Sequence, residues 1–266
     1  PFFGEYRAYS ANYDANLVVV EPDIDTFEPN IEALKSAITP KTKIVIVNSP
    51  NNPTGVIYSD AALTKLAEVL KQKEEELGID IFLISDEPYR EIVYDNAQVP
   101  CLLKYYKNTI IGYSYSKSLS LPGERIGYLV VHPEIADFGD VMGSLNVANR
   151  ILGFVNAPSL FQRVVAKNLS AEVDVNVYKK NRDALYNHLV SIGFECVKPQ
   201  GAFYLFPRSP IADDKKFCED AKQFNLLLVP GSAFGCPGHF RLSYCISYEK
   251  IINSLPAFDK LIALYK

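Results

Sequence analysis

Residues 109–131 read TIIGYSYSKSLSLPGERIGYLVV and join two apolar runs through a polar turn. The first run, Thr109–Tyr113, and the last, Ile126–Val131, are rich in β-branched and aromatic residues, which is typical of β-strands. Neither run alternates strictly between apolar and polar residues, as expected of strands covered on both faces. The turn between them carries Lys117 and Arg125. This stretch therefore predicts part of a buried sheet, with a cationic turn at one strand end.

Three more apolar runs of this kind precede that stretch, and amphipathic segments separate them. The three runs are Leu17–Glu21, Lys43–Val47 and Asp80–Ile84. Strands that alternate with helices form α/β folds, in which the helical connections leave neighbouring strands parallel. The sequence therefore predicts an α/β protein with a mostly parallel central sheet flanked by helices.

Two of the separating segments have helical periodicity. Leucines recur at helical spacing between Ser59, a favoured N-cap, and Gly78, which stands where a C-terminal glycine belongs. A shorter helix is predicted around residues 31–38, and Pro40 ends it.

The pattern changes after about residue 160, where short apolar runs follow a long helical segment that ends at Gly193. The expected strands are Phe194–Val197, Ala202–Phe206, Leu226–Val229 and Phe240–Cys245, with helices around Phe217–Phe224 and Ile251–Leu264. We therefore expect two domains: a large one over residues 1–172 and a smaller α+β domain over residues 173–266.

The composition is that of a packed globular protein, with 48% hydrophobic and 22% charged residues. Lys and Arg number 27 against 31 Asp and Glu, so the basic excess of nucleic-acid-binding proteins is missing. Polar residues or prolines interrupt every apolar run before the roughly 18 residues that a membrane span needs. We predict a cytoplasmic protein without a nucleic-acid or membrane partner.

The cysteines indicate neither a disulfide framework nor a metal site. Their number is odd and no Cys-x-x-Cys pair occurs among them. They are Cys101, Cys196, Cys218, Cys236 and Cys245.

Polar residues follow three of the predicted strands. They read NSPNNPTG at 48–55, SDEPYR at 85–90 and SYSKS at 114–118. In open α/β sheets, ligands bind beyond the carboxyl ends of the strands. These segments therefore predict an amide, a carboxylate with a phenol, and an amine at one edge of the sheet.

Lys117 and Arg125 are the cationic candidates at this edge. An amine held in a cleft loses its proton more easily than one in water, and a neutral lysine amine forms Schiff bases with aldehydes and ketones. A guanidinium beside hydroxyl groups suits a phosphate dianion, because it donates two parallel hydrogen bonds and keeps its charge. On these residues alone, an ordinary surface lysine, a solvated arginine and an ion-paired Asp86 remain open alternatives.

Six motifs occur in order along the chain: NNPTG, SDEPY, SYSKSLSLPGERIGY, GAFYLFP, VPGSAFG and RLSY. Together they resemble the class I/II aminotransferases, pyridoxal-phosphate enzymes of fold type I in the aspartate aminotransferase superfamily. The resemblance implies an enzyme that transfers an amino group from an L-amino acid to a 2-oxo acid. It also implies pyridoxal 5′-phosphate as cofactor and a homodimer.

The resemblance assigns the residues around the cofactor ring. Lys117 matches the lysine that forms the Schiff base and moves the proton, and Asp86 matches the carboxylate that pairs with the pyridine nitrogen. Tyr89 and Asn52 match the groups that hydrogen-bond the phenolic oxygen of the ring. Tyr89 is thereby counted with Lys117 and Asp86 among the catalytic residues.

The remaining matches concern ring stacking, the phosphate and the substrate. They are Phe3 for stacking on the ring, with Phe2 or Tyr6 as competitors; Ser114, Ser116 and Arg125 for the phosphate; and Arg241, with Asn52, for the substrate α-carboxylate. No metal ligand is implied.

Two other functions are compatible with these residues. The same lysine and aspartate would serve a C–S β-lyase or a cyclopropane-forming, ACC-synthase-like enzyme. C–S lyases usually carry a histidine shortly after that aspartate, and the string around Asp86 has none. The other alternative is a regulator whose aminotransferase-like domain senses the cofactor, but the retained Arg241 favours an amino-acid substrate.

The chain opens on Pro1, and its one methionine is Met142. Compared with the family, the N-terminal quarter to third is missing, including the first phosphate-binding turn. We therefore expect a segment of a longer enzyme.

Overall fold

The computed structural model describes residues 1–266 and contains seven strands and nine α-helices. The strands are β1 (Ile44–Asn48), β2 (Phe82–Asp86), β3 (Thr109–Ser114), β4 (Gly127–Val131), β5 (Tyr204–Leu205), β6 (Val229–Pro230) and β7 (Phe240–Ser243). The helices are α1 (Tyr6–Ala11), α2 (Ile31–Ala37), α3 (Asp60–Leu77), α4 (Tyr115–Ser118), α5 (Phe138–Ile151), α6 (Ser159–Lys167), α7 (Val175–Ser191), α8 (Asp214–Ala221) and α9 (Tyr248–Ala263). No helix has both the length and the apolar character needed to cross a membrane.

Four strands form the main sheet in the order β1-β2-β3-β4. The first three are parallel, and β4 runs antiparallel to β3. Asn48 lies opposite Asp86, and Asp86 lies opposite Gly112, so these strands end at the same level. The structure confirms the prediction of an α/β fold with a mostly parallel sheet.

Helix α3 covers part of this sheet and has the predicted ends. The Ser59 hydroxyl accepts a hydrogen bond from the Ala62 amide, and Gly78 adopts the left-handed conformation with φ of 63°. Its buried residues repeat at helical spacing: Ala62, Leu63, Leu66, Ala67, Val69 and Leu70. Helix α2 packs beside α3 and ends at Ala37, before Pro40.

The C-terminal part contains a second, antiparallel sheet in the order β5-β7-β6, together with helices α7 and α9, which pack against each other. Its strands are shorter than the apolar runs that predicted them. Tyr204–Leu205 is the part of the predicted strand Ala202–Phe206 that pairs with β7. The run Leu226–Val229 contributes only Val229, and Phe240–Cys245 ends at Ser243.

Two predicted strands are wrong. Leu17–Glu21 forms no strand and pairs with nothing, and Val18 and Val19 are exposed. Phe194–Val197 makes two backbone hydrogen bonds, from the Phe194 amide to the Leu189 carbonyl and from the Arg208 amide to the Glu195 carbonyl, and neither belongs to a ladder. Both runs are apolar enough for strands, but a strand also needs a neighbour that supplies its hydrogen bonds.

The hydrophobic core consists of two clusters, and each is built mainly from one part of the chain with a few residues from the other part. The N-terminal cluster is built mainly from residues 27–106, but Phe206, Phe234 and Cys236 belong to it. The C-terminal cluster is built mainly from residues 185–262, but it includes Tyr89, Ile92 and Tyr94. The two parts of the chain thus complete each other's core.

A buried arginine joins the same two parts. Arg182, on α7, donates hydrogen bonds to the Pro199 carbonyl at 2.9 Å and to Asp95 Oδ2 at 2.7 Å. Its guanidinium lies 4.6 Å from the centre of the Tyr94 ring. A buried arginine of this kind requires such partners, because an unpaired buried charge is costly.

Candidate active site

Asn48 is the last residue of β1, and its side chain holds the loop that follows, residues 49–55, which is called the strand-end loop below. Its Nδ2 donates to the Asp86 carbonyl at 2.7 Å, and its Oδ1 accepts from the Asn52 amide at 2.7 Å. The loop that carries Asn52 is therefore held beside the end of β2. Both asparagines are buried.

Asp86, the last residue of β2, is a largely buried carboxylate without a cationic partner. The Tyr6 hydroxyl donates to its Oδ2 at 2.5 Å, while Oδ1 has no hydrogen-bond partner and no lysine or arginine forms an ion pair with it. Burial raises the pKa of Asp86, and the hydrogen bond from Tyr6 opposes this shift. The carboxylate is thus suited to a cationic group that approaches Oδ1.

Lys117 lies on α4, the single helical turn that follows β3. The hydroxyl of Ser114 caps this turn by accepting a hydrogen bond from the Ser116 amide at 3.1 Å. The Lys117 amine lies 5.6 Å from the centre of the Phe203 ring and 6.0 Å from that of Tyr89, and no carboxylate lies within ion-pair distance. It is therefore a half-buried amine with no anionic partner in the chain.

Tyr89 follows β2 and contacts a second phenol from the C-terminal part. Its hydroxyl lies 3.0 Å from that of Tyr204, and the two rings pack edge to face. Burial raises the pKa of both phenols, that of Tyr89 far above its ordinary value. Both hydroxyls therefore keep their protons at neutral pH.

Arg241, on β7, is held by three contacts. Its Nη1 donates to Asn52 Oδ1 at 2.9 Å, across 189 residues of sequence. Its guanidinium carbon lies 4.4 Å from the ring centre of Tyr204 and 4.6 Å from that of Phe234. The remaining donors of the guanidinium have no partner in the chain, so they are available to an anionic ligand.

Among the residues predicted to bind phosphate, Ser114 and Ser116 are joined by a hydrogen bond, whereas Arg125 bonds to neither of them. Arg125 is exposed and has a left-handed backbone conformation, with φ of 51°. Its Nη1 donates to the Pro122 carbonyl of its own turn at 2.8 Å. The roles of Arg125, Ser114 and Ser116 stay predictions.

Phe3, predicted to stack on a cofactor ring, lies against Tyr6. The two ring centres are 5.7 Å apart and nearly perpendicular. This places Phe3 one residue away from Asp86, through the Tyr6 hydroxyl. Its stacking role stays a prediction.

For three residues of this site the sequence predicts no role, or a different one. It predicts only ring stacking for Tyr6, whereas Tyr6 donates a hydrogen bond to Asp86. Tyr204 lies inside the quoted motif GAFYLFP, and Asn48 directly precedes the loop that contains NNPTG. The strand-end position of Asn48 was the available signal, but nothing local in the sequence indicates the partners of Tyr6 and Tyr204.

A sequence profile described as "Aminotransferase class I and II" matches residues 1–255. The chain belongs to this aminotransferase family. It is 34% identical over 249 residues to a probable aspartate/prephenate aminotransferase of Aquifex aeolicus, and 33% identical over 254 residues to an aspartate aminotransferase of Bacillus subtilis. Each alignment covers 89% of this chain and 61% of the relative, so the chain spans about three fifths of the length of these aminotransferases.

Solved structures of aminotransferases share the fold. A crystal structure of an amino transferase from Eubacterium rectale superposes with a TM-score of 0.97 at 48% identity, covering 100% of this chain and 67% of that one. The aspartate aminotransferase of Thermotoga maritima gives a TM-score of 0.86 at 30% identity, covering 99% and 68%. These similarities confirm fold type I.

Pyridoxal 5′-phosphate is the cofactor of this aminotransferase family, and the residues present here fit it. The main observation is the largely buried Asp86 carboxylate, which has no cationic partner in the chain and whose Oδ1 accepts no hydrogen bond. A protonated pyridine nitrogen supplies that cation. An unpaired amine at Lys117 and the phenol of Tyr89 match the aldehyde and the phenolic oxygen of the same molecule.

Proposed function

We propose that this chain forms the catalytic body of an aminotransferase that moves an amino group from an L-amino acid to a 2-oxo acid. The observation that carries the proposal is the hydrogen bond between Arg241 and Asn52. It holds a carboxylate-binding arginine beside the strand-end loop, at the edge where Asp86 and Lys117 also lie. Three groups then lie at the same edge of the sheet. They are the Arg241 guanidinium, which would bind the substrate carboxylate, the Lys117 amine, and the Asp86 carboxylate, which has no cationic partner in the chain.

Lys117 is the residue proposed to attach the cofactor and to move the proton of the substrate. Its half-buried amine has no anionic partner in the chain, so no ion pair holds it away from the cofactor aldehyde. When bound, pyridoxal phosphate supplies an electron sink for the pair left at the substrate α-carbon. The Lys117 amine takes the proton from that carbon and delivers it in the return direction.

Asp86 and Tyr89 are proposed to hold the ring. Asp86 Oδ1 is the oxygen available to the ring nitrogen, because Tyr6 occupies Oδ2. An ionised carboxylate at this place keeps the ring nitrogen protonated by electrostatic attraction. The Tyr89 hydroxyl, with the Asn52 side chain, is proposed to donate to the phenolic oxygen, and Phe3 to cover one face of the ring.

Arg241 is proposed to bind the substrate α-carboxylate. A guanidinium donates two parallel hydrogen bonds to a carboxylate, and Arg241 retains free donors after its bond to Asn52. For the phosphate we propose Ser114, Ser116 and Arg125. The Arg125 guanidinium uses one donor for the Pro122 carbonyl, and its other donors have no partner in the chain.

A spectrophotometric titration tests this function. The purified chain is titrated with pyridoxal phosphate and then mixed with L-amino acids and 2-oxoglutarate. L-Aspartate comes first because several relatives are named for it, and an aromatic amino acid follows because a relative in Thermococcus litoralis is named an aromatic-amino-acid aminotransferase.

The expected result is a visible absorbance band that disappears with amino acid and returns with 2-oxo acid. Release of pyruvate and ammonia from an amino acid that carries a sulfur leaving group on its β-carbon, with the band returning before any 2-oxo acid is added, would indicate elimination instead. The names of the relatives favour transfer over elimination. A chain that binds no pyridoxal phosphate would contradict the proposal.

We propose the predicted division into residues 1–172, which hold Lys117, and residues 173–266, which hold Arg241. Its support is the presence of two hydrophobic clusters centred on these parts. Because substrate would contact both parts, its binding would draw them together and exclude water from the proton transfer.

We also propose a homodimer in the cytoplasm. Helix α5 buries none of its side chains, and Ile151, Leu152 and Phe154 at its end are 72%, 61% and 71% exposed. An apolar surface of this kind is typical of a protein interface. The five cysteines form no disulfide, which is consistent with a reducing compartment. Light scattering on the purified chain measures the oligomeric state directly.

A further inference from the structure

Tyr204 has no role in the function proposed above, yet it contacts two residues that do. Its hydroxyl lies 3.0 Å from the Tyr89 hydroxyl, and its ring centre lies 4.4 Å from the guanidinium carbon of Arg241. The Tyr204 side chain is buried. One residue thus lies between the group assigned to the cofactor and the group assigned to the substrate carboxylate.

We propose that Tyr204 is a positioning residue that fixes the Tyr89 hydroxyl with its own hydroxyl and the Arg241 guanidinium with its ring. The roles of Tyr89 and Arg241 rest on the proposed function, whereas the two contacts of Tyr204 do not. Tyr204 lies on β5 and Tyr89 follows β2, so the contact also connects the two parts of the chain.

The hydroxyl of Tyr204 satisfies a buried partner. The Tyr89 hydroxyl has no other hydrogen-bond partner in the structure. If Tyr89 donates its one proton to a ligand, its oxygen still accepts a bond, and Tyr204 is the donor within reach. Removing the Tyr204 hydroxyl therefore leaves a buried phenol oxygen unpaired and free to turn.

The ring of Tyr204 acts on Arg241 instead. A planar guanidinium stacks well on an aromatic face, and Phe234 supplies a second ring at 4.6 Å. The hydrogen bond from Arg241 Nη1 to Asn52 and the two aromatic contacts together fix the orientation of the guanidinium plane. The two parts of Tyr204 consequently have separable effects: Tyr204→Phe removes the hydroxyl alone, and Tyr204→Leu removes the ring as well.

The contact between the hydroxyls is tested first on the cofactor-free full chain. Urea unfolding is measured for wild type, Tyr89→Phe, Tyr204→Phe and the double variant. Each single variant leaves one hydroxyl unpaired, whereas the double variant leaves neither, so the loss in the double variant should be smaller than the sum of the single losses. Additive losses would show that the hydroxyls do not interact and would overturn the proposal.

The positioning of Tyr89 is tested on the chain loaded with pyridoxal phosphate. A hydrogen bond to the phenolic oxygen lowers the pH midpoint of the visible absorbance, so Tyr204→Phe should raise that midpoint by about half a pH unit. Tyr89→Phe should raise it further, and the double variant should match Tyr89→Phe. An unchanged midpoint in Tyr204→Phe contradicts the role of the hydroxyl.

The positioning of Arg241 is tested through the KM for the amino acid. Tyr204→Phe should change it by less than about twofold, and Tyr204→Leu should raise it about tenfold. A normal KM in Tyr204→Leu overturns the role of the ring. The matched control is Tyr244→Phe, a buried tyrosine whose hydroxyl donates to the Ala202 carbonyl at 3.4 Å, and it should leave the midpoint and the KM unchanged.

Failure of the proposed function gives a different result. A wild-type chain that takes up no pyridoxal phosphate contradicts that function, while the unfolding measurements still decide whether Tyr204 and Tyr89 interact. A wild-type chain that binds the cofactor normally, with Tyr204→Phe and Tyr204→Leu unchanged, contradicts only the role of Tyr204.

Discussion

The two arginines assigned to anionic groups have different surroundings. Arg241 lies between two aromatic rings and donates to Asn52, whereas Arg125 is exposed and donates only to the carbonyl of its own turn. The carboxylate side of the site is therefore held in place by the chain itself. On the phosphate side, Arg125 has no side-chain partner that would hold its guanidinium in place. We expect substitutions on the carboxylate side to have the larger effects.

Lys117 is proposed to attach the cofactor and to move the substrate proton, so its loss should have the largest effect. Lys117→Ala should remove the visible absorbance band and lower the rate of transamination by about a thousandfold or more. Single-turnover absorbance measurements test this. Lys71→Ala, at an exposed lysine of α3, is the control and should behave as wild type. Retained turnover in Lys117→Ala would remove this residue from its proposed role.

Substitutions of Arg241 test the carboxylate side of the site, which the chain itself holds in place. Arg241→Ala should weaken amino-acid binding by about a hundredfold, which corresponds to roughly 3 kcal/mol, because a bidentate carboxylate contact is lost. Arg241→Lys keeps the charge without the fork and should give a smaller loss. Cofactor affinity should not change in either variant.

The control for this pair is Arg208→Ala, an exposed arginine that pairs with Glu195 at 3.2 Å. It should leave the KM for the amino acid at the wild-type value. If Arg241→Ala shows that same KM, the substrate carboxylate is bound elsewhere.

A substitution of Arg125 tests the phosphate side of the site, which the chain does not hold in place. Arg125→Ala should lower the affinity for pyridoxal phosphate by about tenfold and leave the affinity for phosphate-free pyridoxal unchanged. The difference should shrink at high salt, because an exposed charge is screened. Absorbance titrations with both compounds measure it. Equal losses for the two compounds would mean that Arg125 does not contact the phosphate.

Tyr6 should give the smallest effect, confined to acidic pH. The pKa of Asp86 is raised by burial, and the Tyr6 hydrogen bond lowers it, so Tyr6→Phe should raise it further. Because the ionised carboxylate is needed, the acid limb of cofactor binding should move to higher pH by less than about one unit. Binding at pH 8 should stay close to wild type.

Stability of the cofactor-free chain gives a second measure of Asp86. A folded-state pKa above the unfolded value means that protonated Asp86 favours folding, and this contribution is lost as the pH rises through the raised pKa. In Tyr6→Phe that loss should occur at higher pH. Tyr9→Phe, at an exposed tyrosine of α1, is the control. Identical pH profiles for Tyr6→Phe and wild type would show that the hydroxyl does not act on Asp86.

Much of the main sheet could be predicted from the sequence because its strands are local apolar runs. The observed strand β2 is shifted by two residues from the predicted strand Asp80–Ile84, and β3 extends the predicted strand Thr109–Tyr113 by one residue. Leu17–Glu21 failed for a physical reason: its apolar residues satisfy the strand pattern, but pairing depends on a neighbour that the run itself does not specify. The same holds for Phe194–Val197.

The site was predictable in part. The position of Lys117, Asp86 and Asn52 after successive strands follows from the fold rule for parallel sheets. The bond from Arg241 to Asn52 joins residues 189 positions apart and has no local signal. Tyr6 shows the same limit, because its partner Asp86 lies 80 positions away and an aromatic residue at its position suits stacking as well as hydrogen bonding.

The exchange of residues between the two hydrophobic clusters has a consequence for how the chain folds. Tyr89, Ile92 and Tyr94 complete the C-terminal cluster, and Phe206 and Phe234 complete the N-terminal one. Neither part can finish its core before the other is present, so folding of the two should be cooperative and calorimetry should show a single transition. Two polypeptides divided between residues 172 and 173 would each fold only in the presence of the other. The two parts of the chain therefore form one folding unit as well as one site.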